Sequence, residues 1–191
     1  MGLISLITGG IMDANKAVKQ NQAKNSDSIQ TVTAKNKFSI DVPTFLSPTT
    51  RFGEDVAIQY WSRALDVSFQ VIDEPISEFI ESLDELRKEA PDFGKGKTLL
   101  DNMAMVVLSN LFDDIDKVEI GDYTNTTING LNAITLNAFQ KRKFLKDALY
   151  GSFAFIEGKE TLYQIIILSG GTSITKLADK LERSIRSFRE F

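Results

Sequence analysis

Beyond residue 128 the sequence offers several β-like runs joined by links too short to cross a sheet. An Asn129-Gly130 pair is followed by runs at about Ala133–Phe139, Leu145–Ile156 and Thr161–Leu168, separated only by Lys141-Arg142-Lys143 and Glu157-Gly158-Lys159. Asn-Gly is a strong two-residue hairpin signal because both positions tolerate positive φ. Parallel neighbours need a crossover of about a dozen residues or more, so these strands must run antiparallel.

Upstream, Phe38, Ile40 and Val42 alternate with Ser39 and Asp41, the period of a half-buried strand, and Pro43 ends it. Ala57–Ser62 and Val67–Ile72 read as a hairpin around Arg63-Ala64-Leu65-Asp66. Pro75 marks a helix start, and Ile76, Phe79, Ile80, Leu83 and Leu86 then recur at helical spacing up to Pro91. The opposite face carries Glu78, Glu81, Asp84 and Glu85, acids that face water on such a helix rather than forming a catalytic pair, and Lys88 is spaced to pair with Asp84. Thr98–Phe112 is apolar on more than one side, which reads as a buried helix. A last helix shows the stripe Ile174, Leu177, Ala178, Leu181, Ile185 and Phe188, with Asp179–Arg183 and Glu182–Arg186 as exposed charge pairs.

Strand, hairpin, two helices, meander and helix in that order give an α+β fold: an antiparallel sheet with helices segregated to one or both faces. The absence of βαβ alternation argues against a parallel nucleotide-binding sheet. Residues 37–191 are assigned to this domain. Residues 1–36 are assigned to an N-terminal helix, with Ile4, Ile7, Ile11, Ala14 and Val18 on one stripe, and a polar linker from Asn21 to Lys37.

Chemistry is bounded by two absences. The 191 residues contain no histidine and no cysteine, so imidazole bases, thiolate nucleophiles, Cys/His metal sites and disulfides are unavailable. A net charge of −4 repels nucleic-acid backbones. The Lys141-Arg142-Lys143 cluster is read as a solvated turn.

The apolar run Leu3–Ile7 stops at Thr8-Gly9-Gly10 with no basic residue before it, so neither a secretion signal nor an integral membrane segment is expected. The expected location is cytoplasmic.

Three motifs are weighed and set aside. Gly94-Lys95-Gly96-Lys97-Thr98 resembles the tail of a phosphate-binding loop, but Pro91 stands where the first glycine is needed and a helix precedes it. Asp113, Asp114 and Asp116 lack the register of a calcium loop. Gly170-Gly171-Thr172-Ser173 reads as a helix N-cap rather than an anion site. No catalytic, cofactor-binding or metal-binding residue is assigned.

Phe38-Ser39-Ile40-Asp41-Val42-Pro43, Gln59-Tyr60-Trp61, Val71-Ile72-Asp73-Glu74, Ile128-Asn129-Gly130-Leu131-Asn132-Ala133, and Tyr163-Gln164-Ile165-Ile166 before a helix ending Ser187-Phe188 together resemble the PsbP-like fold. That fold is shared with the Ran guanine-nucleotide-release factor. The resemblance covers residues 37–191 and implies a bacterial member of a group known mainly as binding or assembly modules.

The expected function is thus a non-catalytic module that binds a protein partner. Candidate contacts are Ile4, Ile7 and Ile11, through which the chain could self-associate, together with Tyr60 and Trp61. A small-ligand binder or a carboxylate-based enzyme is the alternative; it would need a pocket with converging polar groups. A third reading lays residues 3–20 on a membrane, but Lys16 and Lys19 supply little attraction, so a partner groove is preferred.

Overall fold

The Asn129-Gly130 turn forms as its residues dictate, with φ of 50° and 87°. It joins β6 (Glu119–Ile128) to β7 (Leu131–Lys141). The structure is a computed structural model, and it describes residues 28–112, 117–141, 148–170 and 173–191. The meander continues through β8 (Ala148–Glu157) and β9 (Thr161–Ser169), each pair antiparallel.

The earlier hairpin, β4 (Val56–Ser62) and β5 (Val67–Pro75), joins this meander at its last strand, β9. Val67 to Pro75 pair with Ser169 to Thr161 along nine positions. With the short β3 (Ser47–Pro48), this makes a seven-stranded antiparallel sheet in the order β3-β4-β5-β9-β8-β7-β6.

Helices α1 (Ile76–Glu89) and α2 (Leu99–Leu111) cover one face. Phe79, Leu83, Met103, Val107 and Leu108 pack there against Phe153, Phe155, Leu162 and Ile166. Burying each such side chain stabilises the fold by about 1.5–3 kcal/mol. Thr98 starts α2 with a capping box: the Asp101 amide donates to Thr98 Oγ1 at 3.1 Å, and the Thr98 amide donates to Asp101 Oδ2 at 2.9 Å. The Thr98 hydroxyl, which donates to Asp101 Oδ2 at 2.6 Å, together with the Tyr123 hydroxyl and the Thr98 amide, holds the Asp101 carboxyl below its usual range. Just before it, Gly94 has φ +63°, and a Cβ there would lie 1.5 Å from Asn102 Oδ1, so the glycine-rich loop serves close packing under α2.

The other face is covered by α3 (Ser173–Arg186) and a three-stranded sheet that starts from β1 (Ile29–Ala34), in the order β1-β2-β10. Here β2 is Phe38–Pro43 and β10 is Arg189–Glu190. Leu177, Leu181 and Ile185 of α3 pack with Phe38, Ile40, Val67, Phe69, Ile165 and Ile167.

Strand β1 (Ile29–Ala34) corrects part of the linker reading. Residues 29–34 pair with β2 from Ile29↔Pro43 to Ala34↔Phe38. The segment is polar because it is an edge strand with one half-covered face, not because it lacks structure. Between them Lys35 and Asn36 both take positive φ, as a type I′ turn requires.

That turn sends Lys35 and Lys37 to opposite oxygens of Asp73 on β5, at 3.1 and 3.0 Å. Burial alone would raise the Asp73 carboxyl, but the two ammonium groups outweigh it and its pKa is lowered. Strand β10 closes the layer through Glu190, which accepts the Tyr163 hydroxyl at 3.0 Å.

Two surface details differ from expectation. Ile80 and Leu86 of the α1 stripe are each 41 % exposed, because Phe79 and Leu83, with Ile76 at the edge, are the α1 residues that reach the core. Asp84 pairs with Arg87 at 3.5 Å, while Lys88 takes Glu85 instead. Glu182 and Arg186 pair as expected, at 2.7 Å.

Candidate functional site

On the α3 face, register fixes which side chains stand in line across β6, β7, β8 and β9. One row reads Glu119, Phe139, Tyr150, Ser169 and the next Gly121, Asn137, Ser152, Ile167. A third reads Thr124, Thr135, Ala154, Ile165, and a fourth Thr126, Ala133, Ile156, Tyr163. In the inner rows the face is aliphatic where α3 and the small sheet cover it and changes to hydroxyls and an amide where they do not.

The transition is a cleft of about 840 Å3, within the range of about 300–1,000 Å3 typical of small-molecule sites. Its floor is Thr124, Thr126, Thr135, Asn137 and Ser152, and its wall is the side of α3 that bears Ala178 and Glu182.

Local sequence builds each part. A bulge between Gly121 and Thr124 breaks the β6 register, with Asp122 at φ 52°. Asn137 Nδ2 donates to Asp122 Oδ2 at 3.2 Å, fixing the amide plane in the cleft. The wall is pinned by Asn129, whose Nδ2 donates to the Arg186 and Phe188 carbonyls at 3.1 and 2.6 Å. On the wall, Arg186 is held by Glu182 Oε1. Phe139 and Tyr150 close one end, their ring centroids 4.7 Å apart.

Among the described residues none hydrogen-bonds the hydroxyls of Thr126, Thr135 or Ser152, so three donor–acceptor groups are free to meet a ligand.

A second, smaller hollow of about 340 Å3 lies at the opposite wing, beside Trp61, Leu149 and Leu168. The Arg51 guanidinium sits 4.2 Å above the Trp61 ring. Of the residues singled out from sequence, Trp61 is therefore half-buried at a surface hollow. Tyr60 points the other way, 8 % exposed in the core, and burial raises its pKa; it is a packing residue rather than a contact.

Ile4, Ile7 and Ile11 lie outside the described residues, as do Asp113, Asp114 and Asp116, Arg142 and Lys143, and Gly171 and Thr172. Of the predicted contacts among the described residues, neither Tyr60 nor Trp61 lines the cleft. Its floor is hard to see in the sequence because threonines on a strand read only as β-formers; the available signal is a ten-residue strand, Glu119–Ile128, with almost no apolar alternation.

Among the described residues no group of acids is arranged to hold a metal ion, and no helix is long and apolar enough to cross a membrane. Glu74 is a carboxyl with a raised pKa, through burial and the neighbouring Glu78 charge, against a hydrogen bond from Gln164. It lines neither hollow.

No protein-family profile matches this sequence, and no curated protein does. Among solved structures, cyanobacterial PsbP (CyanoP) from Synechocystis sp. PCC 6803 superposes with a TM-score of 0.56 at 10% identity, covering 87% of this chain and 95% of that one. A Pseudomonas aeruginosa protein of unknown function gives 0.42 at 10% identity, over 83% of this chain and 94% of that one. A Bacteroides thetaiotaomicron protein gives 0.47 at 8%, over 85% and 48%. At such identities likeness speaks of architecture and not of activity. The sheet order, the flanking helices and the similarity to CyanoP agree: this chain has a PsbP-like fold.

Proposed function

We propose that this domain is a non-catalytic binding module whose ligand seat is the cleft between α3 and strands β6–β8. The observation that carries this reading is the set of three hydroxyls on the cleft floor, Thr126, Thr135 and Ser152, without a partner among the described residues and walled by a pinned helix. A merely solvated sheet face would need neither the wall nor the bulge that turns Asp122 toward Asn137.

Binding rather than catalysis follows from the composition of the lining. With no histidine or cysteine in the chain, the cleft holds hydroxyls, one amide and a few charged groups, and a lone hydroxyl is a weak nucleophile without an adjacent base. The alternative of a carboxylate enzyme has less support: of the carboxylates lining the cleft, Asp122 is bonded to Asn137 and Glu182 to Arg186, and Glu74, the carboxyl whose pKa burial raises, lies elsewhere. Of the two binding readings, a small or extended ligand fits the concave polar floor better than a flat protein interface with an apolar centre.

The test is a thermal-shift screen of neutral, anionic and cationic small molecules on the full chain and on Ser152→Trp, which fills the floor. We expect at least one compound to raise the melting temperature of the parent and not of the variant; ligand at about a hundred times its Kd adds about 2.7 kcal/mol. Compounds that stabilise both proteins equally, or a screen in which none acts, would refute the cleft as the seat.

A further inference from the structure

We propose that the cleft takes a neutral oligosaccharide, with one sugar ring against Phe139 and Tyr150 and the following ring over Asn137, Ser152 and Thr135. This rests on the reading of the cleft as a ligand seat and adds the chemical class.

Charge narrows the choice first. The lining carries three carboxylates, Glu119, Asp122 and Glu182, against one guanidinium, Arg186, which Glu182 already engages. Among the described residues of the lining, a phosphate or carboxylate ligand would meet repulsion with no spare cation to offset it.

Hydrogen-bond type narrows it further. Threonine and serine hydroxyls donate and accept at once, as sugar hydroxyls do, so each ligand hydroxyl finds a partner in either sense. An apolar ligand would strand the same groups, and each one buried without a partner carries a desolvation penalty. The Asn137 amide, oriented by Asp122, keeps its carbonyl for a ligand donor, and the Asp122 carboxylate accepts further bonds.

The end of the cleft supplies what hydroxyls cannot. Phe139 and Tyr150 are half-buried and both line it, so their exposed surface is available to the C–H face of a pyranose ring. Aromatic faces carry negative charge that favours such polarised C–H groups.

Dimensions favour more than one ring. The floor is three strands wide, about 10 Å, and runs about 14 Å along β7 from Phe139 to Thr135. That is a trough for an extended chain rather than a pit for a monosaccharide.

The experiment is an amide-resolved NMR titration of the full chain with maltotetraose, cellotetraose and the tetramer of N-acetylglucosamine. Spermidine and an uncharged Ser/Thr-rich peptide serve as contrasting probes. At least one oligosaccharide should shift the amides of Thr135, Asn137 and Ser152 saturably. Asn137→Ala and Tyr150→Leu should each weaken that affinity about tenfold or more. If Tyr150→Leu misfolds, Asn137→Ala at an exposed position still decides.

Silence of these amides toward all three sugars at about 10 mM overturns the oligosaccharide assignment. A response of the same amides to spermidine or the peptide in that case overturns the class alone and keeps the cleft as a seat. Silence toward every probe removes both.

Discussion

Strands β9 and β6 belong to one ladder yet live in opposite environments. In β9 the run from Leu162 to Ile167 is buried on both faces; in β6 nine of ten residues, all but Ile128, are exposed or half-exposed. Both keep their backbone hydrogen bonds to neighbours on the same sheet, so the difference is not one of secondary structure. What separates them is cover. β9 is clad by α3 and the small sheet on one side and by α2 on the other, whereas β6 ends the sheet with its α3-side face uncovered. A sheet can thus hold its core in the middle and leave a wing uncovered, and it is on that wing that the proposed ligand seat lies.

The largest expected effect breaks the clad centre. Phe38 is fully buried, its ring centroid 5.2 Å from Tyr163 and 5.3 Å from Phe188. Phe38→Ala should cost about 3–5 kcal/mol in denaturant unfolding, the range of buried aromatic truncations. A loss under about 1 kcal/mol would mean that the small sheet is not part of the core.

A smaller effect tests how that cover is clasped. Asp73→Asn should cost about 1–2 kcal/mol at neutral pH, because its carboxylate is 4 % exposed but both lysines are largely solvated. The folded pKa of Asp73 is lowered, so its contribution is fully present above the unfolded value of about 3.9 and is lost as pH falls through the folded value. The gap between parent and variant should hold from pH 7 to about pH 5 and close in stronger acid. A gap that widened on acidification would contradict the assignment.

The wing is tied from its other side, where the Tyr123 hydroxyl of β6 reaches Asp101 in the α2 capping box. Thr98→Ala should cost about 1 kcal/mol and speed hydrogen exchange in the first turn of α2. Unchanged exchange there would show the cap to be idle.

Much of this contrast can be read from sequence, but not the part that matters for binding. Period-two runs, Pro75 and Asn129-Gly130 place the strands, the α1 start and the β6–β7 turn because each acts locally. The β5–β9 pairing is different: Leu162–Ile167 is buried on both faces and Val67–Ile72 nearly so, Gln70 and Ile72 aside, so their pattern names no partner. Strand β1 looks like linker because an edge strand needs only one covered face, and β10 is too short to leave a pattern. The cleft floor is hidden for a related reason. Thr135 and Ser152 suit any strand, and only their register with Thr124 and Asn137 makes them a surface. Trp61, the conspicuous aromatic, sits at the other wing.

The central claim is that the hydroxyls of the wing are kept for a ligand and not for stability. The most direct test is the double variant Thr135→Val with Ser152→Ala, measured by calorimetry and by titration with whichever compound stabilises the parent. The account predicts stability within about 0.5 kcal/mol of the parent, or slightly above it, together with at least tenfold weaker binding. A variant that binds as well as the parent, or that loses stability as Phe38→Ala does, would contradict it.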